Sequence, residues 1–182
     1  MLRARLASEN PHKLDELRAA LPGWELELVG ASDYPAENGT SYLENARIKA
    51  RHGAVRSPEG WVLGEDSGIE VAALGGRPGL QSARWADDGV ARLLEELDGI
   101  VDRRARYVCE LVCLTADREL RGTGILEGSL ATTRRGSEGF GYDPIFVPAG
   151  ETRTVAELGA DWKQRNSHRA RAVRALLAAL SS

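Results

Sequence analysis

The hydrophobic residues of this 182-residue chain change spacing repeatedly, and those changes restrict the folds that it can adopt. Residues 2–7 alternate between apolar and polar as a strand does, whereas residues 14–21 carry leucines at helical spacing. Asn10 suits the N-cap of that helix, Pro11 suits its first position, and residues 22–23 (Pro-Gly) end it. The chain is therefore predicted to begin with a strand, a loop and a helix.

Similar patterns predict the later elements. We expect strands at residues 26–28, 61–63, 69–74, 104–115, 119–133 and 145–147, helices at residues 41–56, 90–97 and 170–180, and capping boxes at Ser41-x-x-Glu44 and Thr154-x-x-Glu157. Strands and helices mixed in this order predict an α/β protein with a mixed sheet.

Composition excludes several classes of protein. Hydrophobic residues make up 42% of the chain and charged residues 28%, as in ordinary globular proteins, and no apolar run approaches the roughly 20 residues of a membrane span. The first residues do not resemble a secretory signal, so we expect a cytoplasmic protein with no membrane partner. The net charge of -3 argues against a general nucleic-acid binder and favours a small polyanionic ligand. Cys109 and Cys113 are expected to be small core residues.

Two carboxylates interrupt an apolar stretch between residues 61 and 74. Glu65 and Asp66 are bracketed by Gly64 and Gly68, so backbone and ligand can approach them closely. Carboxylates bind magnesium and orient water, which makes this segment a candidate site. A simple acidic turn is the alternative.

Other residues could complete such a site. Glu37 and Glu44 lie before and at the start of the helix that carries Lys49, so either could add a metal ligand, while Lys49 could offset phosphate charge. A salt-bridged helix surface is the competing interpretation. The chain has only three lysines, at positions 13, 49 and 163, and such rare lysines could mark positions that need a compact charge.

Two further segments indicate a nucleotide ligand. Ser8, Asn10 and Lys13 surround a helix N-terminus, which attracts phosphate, although a plain capped helix with a surface lysine is the commoner situation. In residues 139–144 two aromatic side chains lie between small residues, which favours stacking on a nucleobase over core packing. Residues 163–169 add donors for base carbonyls and phosphates.

Together these segments resemble the inosine triphosphate pyrophosphatase family over nearly the whole chain. The matching stretches are LASENPHK at residues 6–13, GTSYLENARIKA at 39–50, EDSGIEVAALGGRPGLQSARW at 65–85, GFGYDPIFVP at 139–148, and SHR at 167–169. The resemblance implies a two-lobed α/β fold around a long central mixed sheet flanked by helices. It also implies that residues 1–182 form a single catalytic domain of two closely packed lobes, usually dimeric.

The implied activity is the magnesium-dependent hydrolysis of ITP, dITP and XTP to the monophosphate and pyrophosphate, which removes deaminated purines from the nucleotide pool. The implied partners are the purine nucleotide and a second copy of the chain, without a stable nucleic-acid partner.

The resemblance also implies roles for individual residues. Asp66 is the general base and a Mg²⁺ ligand, and Glu37 and Glu65 are the further candidate ligands. The implied substrate-binding residues are Ser8, Asn10, Lys13 and Lys49 around the triphosphate, Ser67 beside the substrate, and Phe140, Gly141, Tyr142, Asp143, Lys163, His168 and Arg169 around the base and sugar.

Three departures from the family pattern touch this site. Thr-Gly-Asn is replaced by residues 8–10 (Ser-Glu-Asn), Ala-Asp-Asp-Ser-Gly by residues 64–68 (Gly-Glu-Asp-Ser-Gly), and Glu-Glu-Thr-Gly by residues 36–39 (Ala-Glu-Asn-Gly). Ala36 removes a possible ligand, Glu65 lengthens an arm, and Glu9 adds negative charge near the expected phosphates. Two other functions therefore stay open: a pyrophosphatase that prefers another base, and a nucleotide-binding module without catalysis.

Overall fold

The computed structural model describes residues 2–31, 33–58 and 60–181. Within them the strands are Leu2–Ala7 (β1), Trp24–Leu28 (β2), Trp61–Val71 (β3), Arg104–Leu114 (β4), Glu119–Leu130 (β5) and Phe146–Pro148 (β6). The α-helices are Pro11–Ala20 (α1), Tyr42–Arg56 (α2), Gly89–Glu96 (α3), Val155–Leu158 (α4), Ala160–Asn166 (α5) and His168–Leu180 (α6), and 3₁₀ turns span Ala72–Leu74 and Gly79–Arg84.

The strands form a six-stranded sheet in the order β2-β1-β3-β4-β5-β6. β1 is parallel to both β2 and β3, whereas β5 and β6 are antiparallel. Helices follow β1 and β2 in the chain because neighbouring parallel strands need a crossover connection. The predicted α/β class with a mixed sheet is confirmed.

The chain divides into two compact units. Unit 1 comprises Met1–Asp66, Cys109–Gly124 and His168–Ser182, and unit 2 comprises Ser67–Val108 and Ile125–Ser167. β3, β4 and β5 therefore each contribute residues to both units.

The main core of unit 1 forms from the apolar faces of its strands and of two helices. Its buried side chains include Leu6 of β1, Leu17 of α1, Leu111 of β4 and Leu176 of α6. Cys109 and Cys113 belong to the same core and are free thiols, so their prediction as core residues is confirmed. Alternation along the strands and 3.6-residue spacing along the helices direct these side chains inward.

The core of unit 2 has its own set of buried residues, among them Ile69, Leu93, Ile145 and Phe146. The Thr154 capping box is present in full at the start of α4: the Thr154 hydroxyl accepts from Glu157 N, and the Glu157 carboxylate accepts from Thr154 N. None of the helices in the described ranges has the length and apolar character that crossing a bilayer requires.

Local signals predicted the helix starts well, and long-range packing accounts for the differences. Asn10 caps α1 and Ser41 caps α2, as predicted. The Ser41 capping box is only half formed, because the Glu44 carboxylate accepts from Thr40 N and not from Ser41 N. The acidic segment does not separate two strands, as the predicted strands at residues 61–63 and 69–74 implied. β3 instead runs unbroken through it and ends at Val71. α5 was not predicted, since its seven residues carry no apolar stripe.

Candidate active site

A close approach between α2 and β3 builds the centre of the site in unit 1. A Cβ atom on Gly64 would lie 2.1 Å from the backbone oxygen of Ala46, so only glycine permits this spacing. The approach brings Asn45 and Lys49, on one face of α2, against Asp66, which lies two residues after Gly64 in β3. The two side chains share a face because they are four residues apart.

Asp66 is 5% exposed, and both of its carboxylate oxygens are bonded. Lys49 Nζ donates to Asp66 Oδ1 over 2.8 Å and to the backbone oxygen of Glu65 over 3.0 Å, while Asn45 Nδ2 donates to Asp66 Oδ2 over 3.1 Å. Lys49 also forms an ion pair with Glu37. Two carboxylates, those of Asp66 and Glu37, thus converge on one ammonium group.

Burial and charge oppose each other at this centre. Burial raises the pKa of Asp66 above its ordinary value; Lys49 opposes that rise, and the negative charges of Glu65 and Glu37 add to it. Burial alone would lower the pKa of Lys49, but the carboxylates of Asp66, Glu65 and Glu37 outweigh it and raise the pKa. Lys49 therefore carries its positive charge at neutral pH.

Glu65 lies on the opposite face of β3 from Asp66, because successive strand residues point in opposite directions. It is fully buried, with Oε2 2.6 Å from Lys13 Nζ and Oε1 3.0 Å from Arg169 Nε. Its burial would raise the pKa, yet Lys13, Arg169 and Lys49 together hold that pKa well below its ordinary value. Glu65 is therefore a buried carboxylate between cations.

In the loop between β1 and α1, polar side chains accept hydrogen bonds from the backbone of the same segment. Asn10 N donates to Ser8 Oγ over 3.1 Å, and His12 N donates to Asn10 Oδ1 over 2.9 Å. Lys13 lies one turn further on and pairs with Glu65. Glu9 is exposed. The hydroxyl of Tyr34 donates to the Ser8 backbone oxygen. Burial, and after it the negative charge of Glu9, raises the pKa of this hydroxyl.

The first residues of α6, His168 and Arg169, are buried in unit 1. α6 approaches β5 so closely that a Cβ atom on Gly124 would lie 1.9 Å from the backbone oxygen of His168. Arg169 connects two carboxylates, since Nη1 donates to Glu16 over 2.9 Å while Nε donates to Glu65. The structure thus brings Lys13, Glu65 and Arg169 together in unit 1.

A second group of predicted residues gathers around Asp143 in unit 2. Asp143 is buried, and its Oδ2 accepts from Phe140 N over 2.8 Å and from Lys163 Nζ over 2.5 Å. Lys163 Nζ also lies 4.2 Å from the centre of the Phe140 ring. Gly139 has a φ of +81° and leaves no room for a Cβ atom beside Asp143, so glycine is required there.

Tyr142 differs from the stacking side chain that we expected. Its ring belongs to the unit 2 core, and its hydroxyl donates to the Ser82 backbone oxygen over 2.8 Å. Gly141 takes a left-handed φ of +61°, which turns the loop at that point. Ser67 follows Asp66 in β3 and is half-buried.

Four residues that sequence reasoning did not assign to the site act there as hydrogen-bond partners. Asn45, Glu16, Cys109 and Tyr107 each bond to a predicted site residue. Asn45 and Glu16 could have been found from helical spacing, because they lie four residues before Lys49 and three after Lys13. Cys109 and Tyr107 gave no such signal, since they lie 44 and 36 residues away from their partners in the sequence.

The candidate metal ligands do not gather in one place. Glu37 and Asp66 meet at Lys49, whereas Glu65 points to the other face of β3. In the described part of the chain, no three His, Cys, Asp or Glu side chains are grouped so that they could hold a metal ion.

The whole chain resembles known proteins. Residues 4–179 match the model of the Ham1 family. A protein named dITP/XTP pyrophosphatase from Gloeobacter violaceus is 43% identical over 182 residues, which cover 97% of this chain and 93% of that protein. A protein of the same name from Symbiobacterium thermophilum is 47% identical over 179 residues, covering 92% and 89% respectively.

Solved structures agree with these relatives. The structure of a HAM1 protein from Coxiella burnetii matches with a TM-score of 0.86 and 35% identity over 100% of this chain and 99% of that one. The Staphylococcus aureus Ham1 protein matches with a TM-score of 0.85 and 33% identity over 98% of each chain. The family resemblance of the sequence motifs is thereby confirmed: the chain belongs to the Ham1 family.

Proposed function

We propose that this chain hydrolyses the triphosphates of deaminated purines, ITP, dITP and XTP, to the monophosphate and pyrophosphate, and so removes them from the nucleotide pool. The observation that carries the proposal is the buried Asp66–Lys49 pair, with the half-buried Glu37 carboxylate beside it, in a chain whose full-length relatives are named dITP/XTP pyrophosphatases. An acidic turn or a salt-bridged surface would not need Asp66 and Lys49 to be buried.

Mg²⁺ is the metal ion that the family resemblance implies, and Asp66 and Glu37 are the residues that would hold it. Both carboxylates reach the same ammonium group, so they are close enough together to act on one ion. Mg²⁺ is usually bound by one or two carboxylates together with substrate phosphates and water, which this pair of oxygen donors fits. When bound, Mg²⁺ would neutralise negative charge on the phosphate oxygens.

Asp66 is proposed to orient the attacking water and accept its proton. Lys49 and Asn45 hold its two oxygens from one side and fix the direction of the remaining lone pairs. A general base must lie within hydrogen-bond reach of the water, and a rigid carboxylate satisfies that need without further reorganisation. Attack at the α-phosphorus releases pyrophosphate.

The lysines are proposed to stabilise charge on the phosphates. Lys49 is charged because carboxylates raise its pKa, and its position beside Asp66 places that charge next to the reacting group. Lys13 follows the capped start of α1, where the helix dipole also favours an anion. Charge that is already in position lowers the barrier because the protein does not reorganise during the reaction.

The group around Asp143 is proposed to bind the base. Asp143 accepts hydrogen bonds from the Phe140 backbone N–H and from Lys163, so an aromatic ring and an N–H donor are fixed near each other. Lys163 would donate to the keto oxygens of hypoxanthine and xanthine. Adenine presents an amino group instead, which leaves such donors unpaired.

The first test is pyrophosphate release from purified protein with Mg²⁺, with ITP, XTP, GTP and ATP at equal concentration. We expect ITP and XTP to be preferred strongly, and Asp66→Asn to lower kcat by at least about 1,000-fold because it removes the base. Chelation of the metal should stop the reaction.

Different results would favour other functions. Equal turnover of all four nucleotides, or faster turnover of dTTP and UTP, would favour a pyrophosphatase with another specificity. Binding of ITP in calorimetry without pyrophosphate release would favour a binding module. Asp66→Asn protein with native activity would contradict the proposed mechanism.

A further inference from the structure

Each oxygen of the Glu65 carboxylate lies against a positively charged side chain. Oε2 faces Lys13 Nζ at 2.6 Å, and Oε1 faces Arg169 Nε at 3.0 Å. Cys109 Sγ also donates to Oε1 over 3.5 Å, and burial raises the pKa of this thiol well above its ordinary value, so it keeps the proton that it donates. A metal ion at this carboxylate would have to displace groups that are themselves positive.

These residues form a set of paired charges, which we call the Glu65 cluster: Glu65, Lys13, Arg169 and Glu16, with the Cys109 thiol. Two cations and two carboxylates are paired in turn, because Arg169 Nη1 also donates to Glu16 over 2.9 Å. Glu65 contacts both cations. It therefore sets the direction of two side chains that come from different helices.

We propose that Glu65 is a positioning residue, which aligns Lys13 and Arg169 for the nucleotide and does not bind the metal ion. This assignment rests on the function proposed above. It separates the two adjacent acids of β3: Asp66 faces Lys49 and the reacting groups, and Glu65 faces the cations on the other side of the strand.

The length of the Glu65 side chain matters in this chain. The related family pattern has aspartate here, whereas Glu65 extends one methylene further, by about 1.5 Å. That reach lets one carboxylate contact Lys13 and Arg169 at once, within 3.0 Å of each. Shortening the arm should release one of the two cations, and removing its charge should release both.

The decisive experiment compares Glu65→Gln with Asp66→Asn in two independent measurements. Steady-state ITP hydrolysis reports kcat and KM, and electron paramagnetic resonance of Mn²⁺ in the presence of inorganic pyrophosphate reports metal affinity. For Glu65→Gln we expect kcat to fall by at least about tenfold and KM for ITP to rise, because Lys13 and Arg169 both bind the nucleotide, and the Mn²⁺ affinity to stay within about twofold. Asp66→Asn should lose Mn²⁺ affinity.

Two further variants guard against effects on folding. Glu110→Gln is the matched control, because Glu110 is also a buried carboxylate of unit 1, and its side chain accepts from Arg121 over 2.8 and 2.9 Å and from Thr123 over 3.0 Å, not from the Glu65 cluster. It should keep native kcat. Glu65→Asp keeps the charge, and we expect a kcat between those of the native protein and Glu65→Gln with native Mn²⁺ affinity.

Three outcomes would overturn the assignment. Mn²⁺ affinity that falls in Glu65→Gln as far as in Asp66→Asn would make Glu65 a metal ligand. Native kcat in the folded Glu65 variants would exclude positioning, and an equal loss of kcat in Glu110→Gln would reduce the effect to general destabilisation. If the native protein releases no pyrophosphate from any nucleotide, the proposed function fails, and the Mn²⁺ affinities, which need no turnover, still decide whether Glu65 binds metal.

Discussion

Lysine occurs at three positions, and at each of them the ammonium group lies against a buried carboxylate. Lys13 pairs with Glu65, Lys49 with Asp66, and Lys163 with Asp143, while the rest of the 24 Lys and Arg residues are arginine. An ammonium group is compact and can place three donors around one point, whereas guanidinium is a planar fork. The rarity of lysine in the sequence therefore indicated three positions that share this chemistry.

Lys49→Arg tests whether that geometry matters. Lys49 Nζ contacts Asp66, the Glu65 backbone oxygen and Glu37, and a planar guanidinium cannot approach all three at once. We expect kcat for ITP to fall by about 100-fold although the charge is kept. Arg106→Lys is the reverse control: the exposed Arg106–Glu70 pair contributes little, so activity should be native. Native kcat in Lys49→Arg would show that charge alone suffices.

At the scale of elements, the contact between α2 and β3 has the greatest effect on the site. Gly64 lets the backbone of β3 approach α2, and this contact carries Asn45 and Lys49 to Asp66. β3 also places adjacent residues on opposite faces, which separates Asp66 from Glu65. Helix position and strand alternation thus create two different carboxylate environments from neighbouring residues.

Gly64→Ala should separate α2 from β3. The added Cβ atom would lie 2.1 Å from the Ala46 oxygen and 2.6 Å from Ala50 N, so the backbones must move apart. We expect the free energy of unfolding in urea to fall by about 1–3 kcal/mol, and kcat/KM for ITP to fall as well because Lys49 moves away from Asp66.

Gly75→Ala is the control for a loss of stability alone. A Cβ atom there meets nothing within 4 Å, but the φ of +64° costs about 1–2 kcal/mol for a residue other than glycine. This variant should lose stability and keep its kcat/KM. Equal activity in the two alanine variants would contradict a role for the α2–β3 contact in the site.

At the scale of the molecule, the α/β class followed from the order of local signals, and assembly is the property left to measure. The family resemblance implies a homodimer, so light scattering should give twice the 19.7 kDa mass of the chain. The midpoint of thermal unfolding should rise with protein concentration, because association stabilises the folded state by mass action. A 19.7 kDa species with a constant midpoint would contradict the dimer.

The sequence by itself determined the features that depend on neighbours along the chain. Asn10, Ser41 and Thr154 start helices as predicted, because a cap needs only a side-chain oxygen and the backbone N–H groups two or three residues later. Strand alternation likewise predicted β1 correctly. The glycines around the acidic segment and the rarity of lysine marked Asp66 and the lysines as candidates, and the family motifs then assigned their roles.

Only the tertiary structure decided what depends on residues far apart in the sequence. It made β3 continuous through the acidic segment, because Glu65 and Asp66 find charged partners on α1, α2 and α6 that offset part of the cost of burial. It also placed the Tyr142 ring in the unit 2 core, where the Ser82 backbone oxygen accepts its hydroxyl. Spacing cannot show such partners, since they meet only when the helices pack on the sheet.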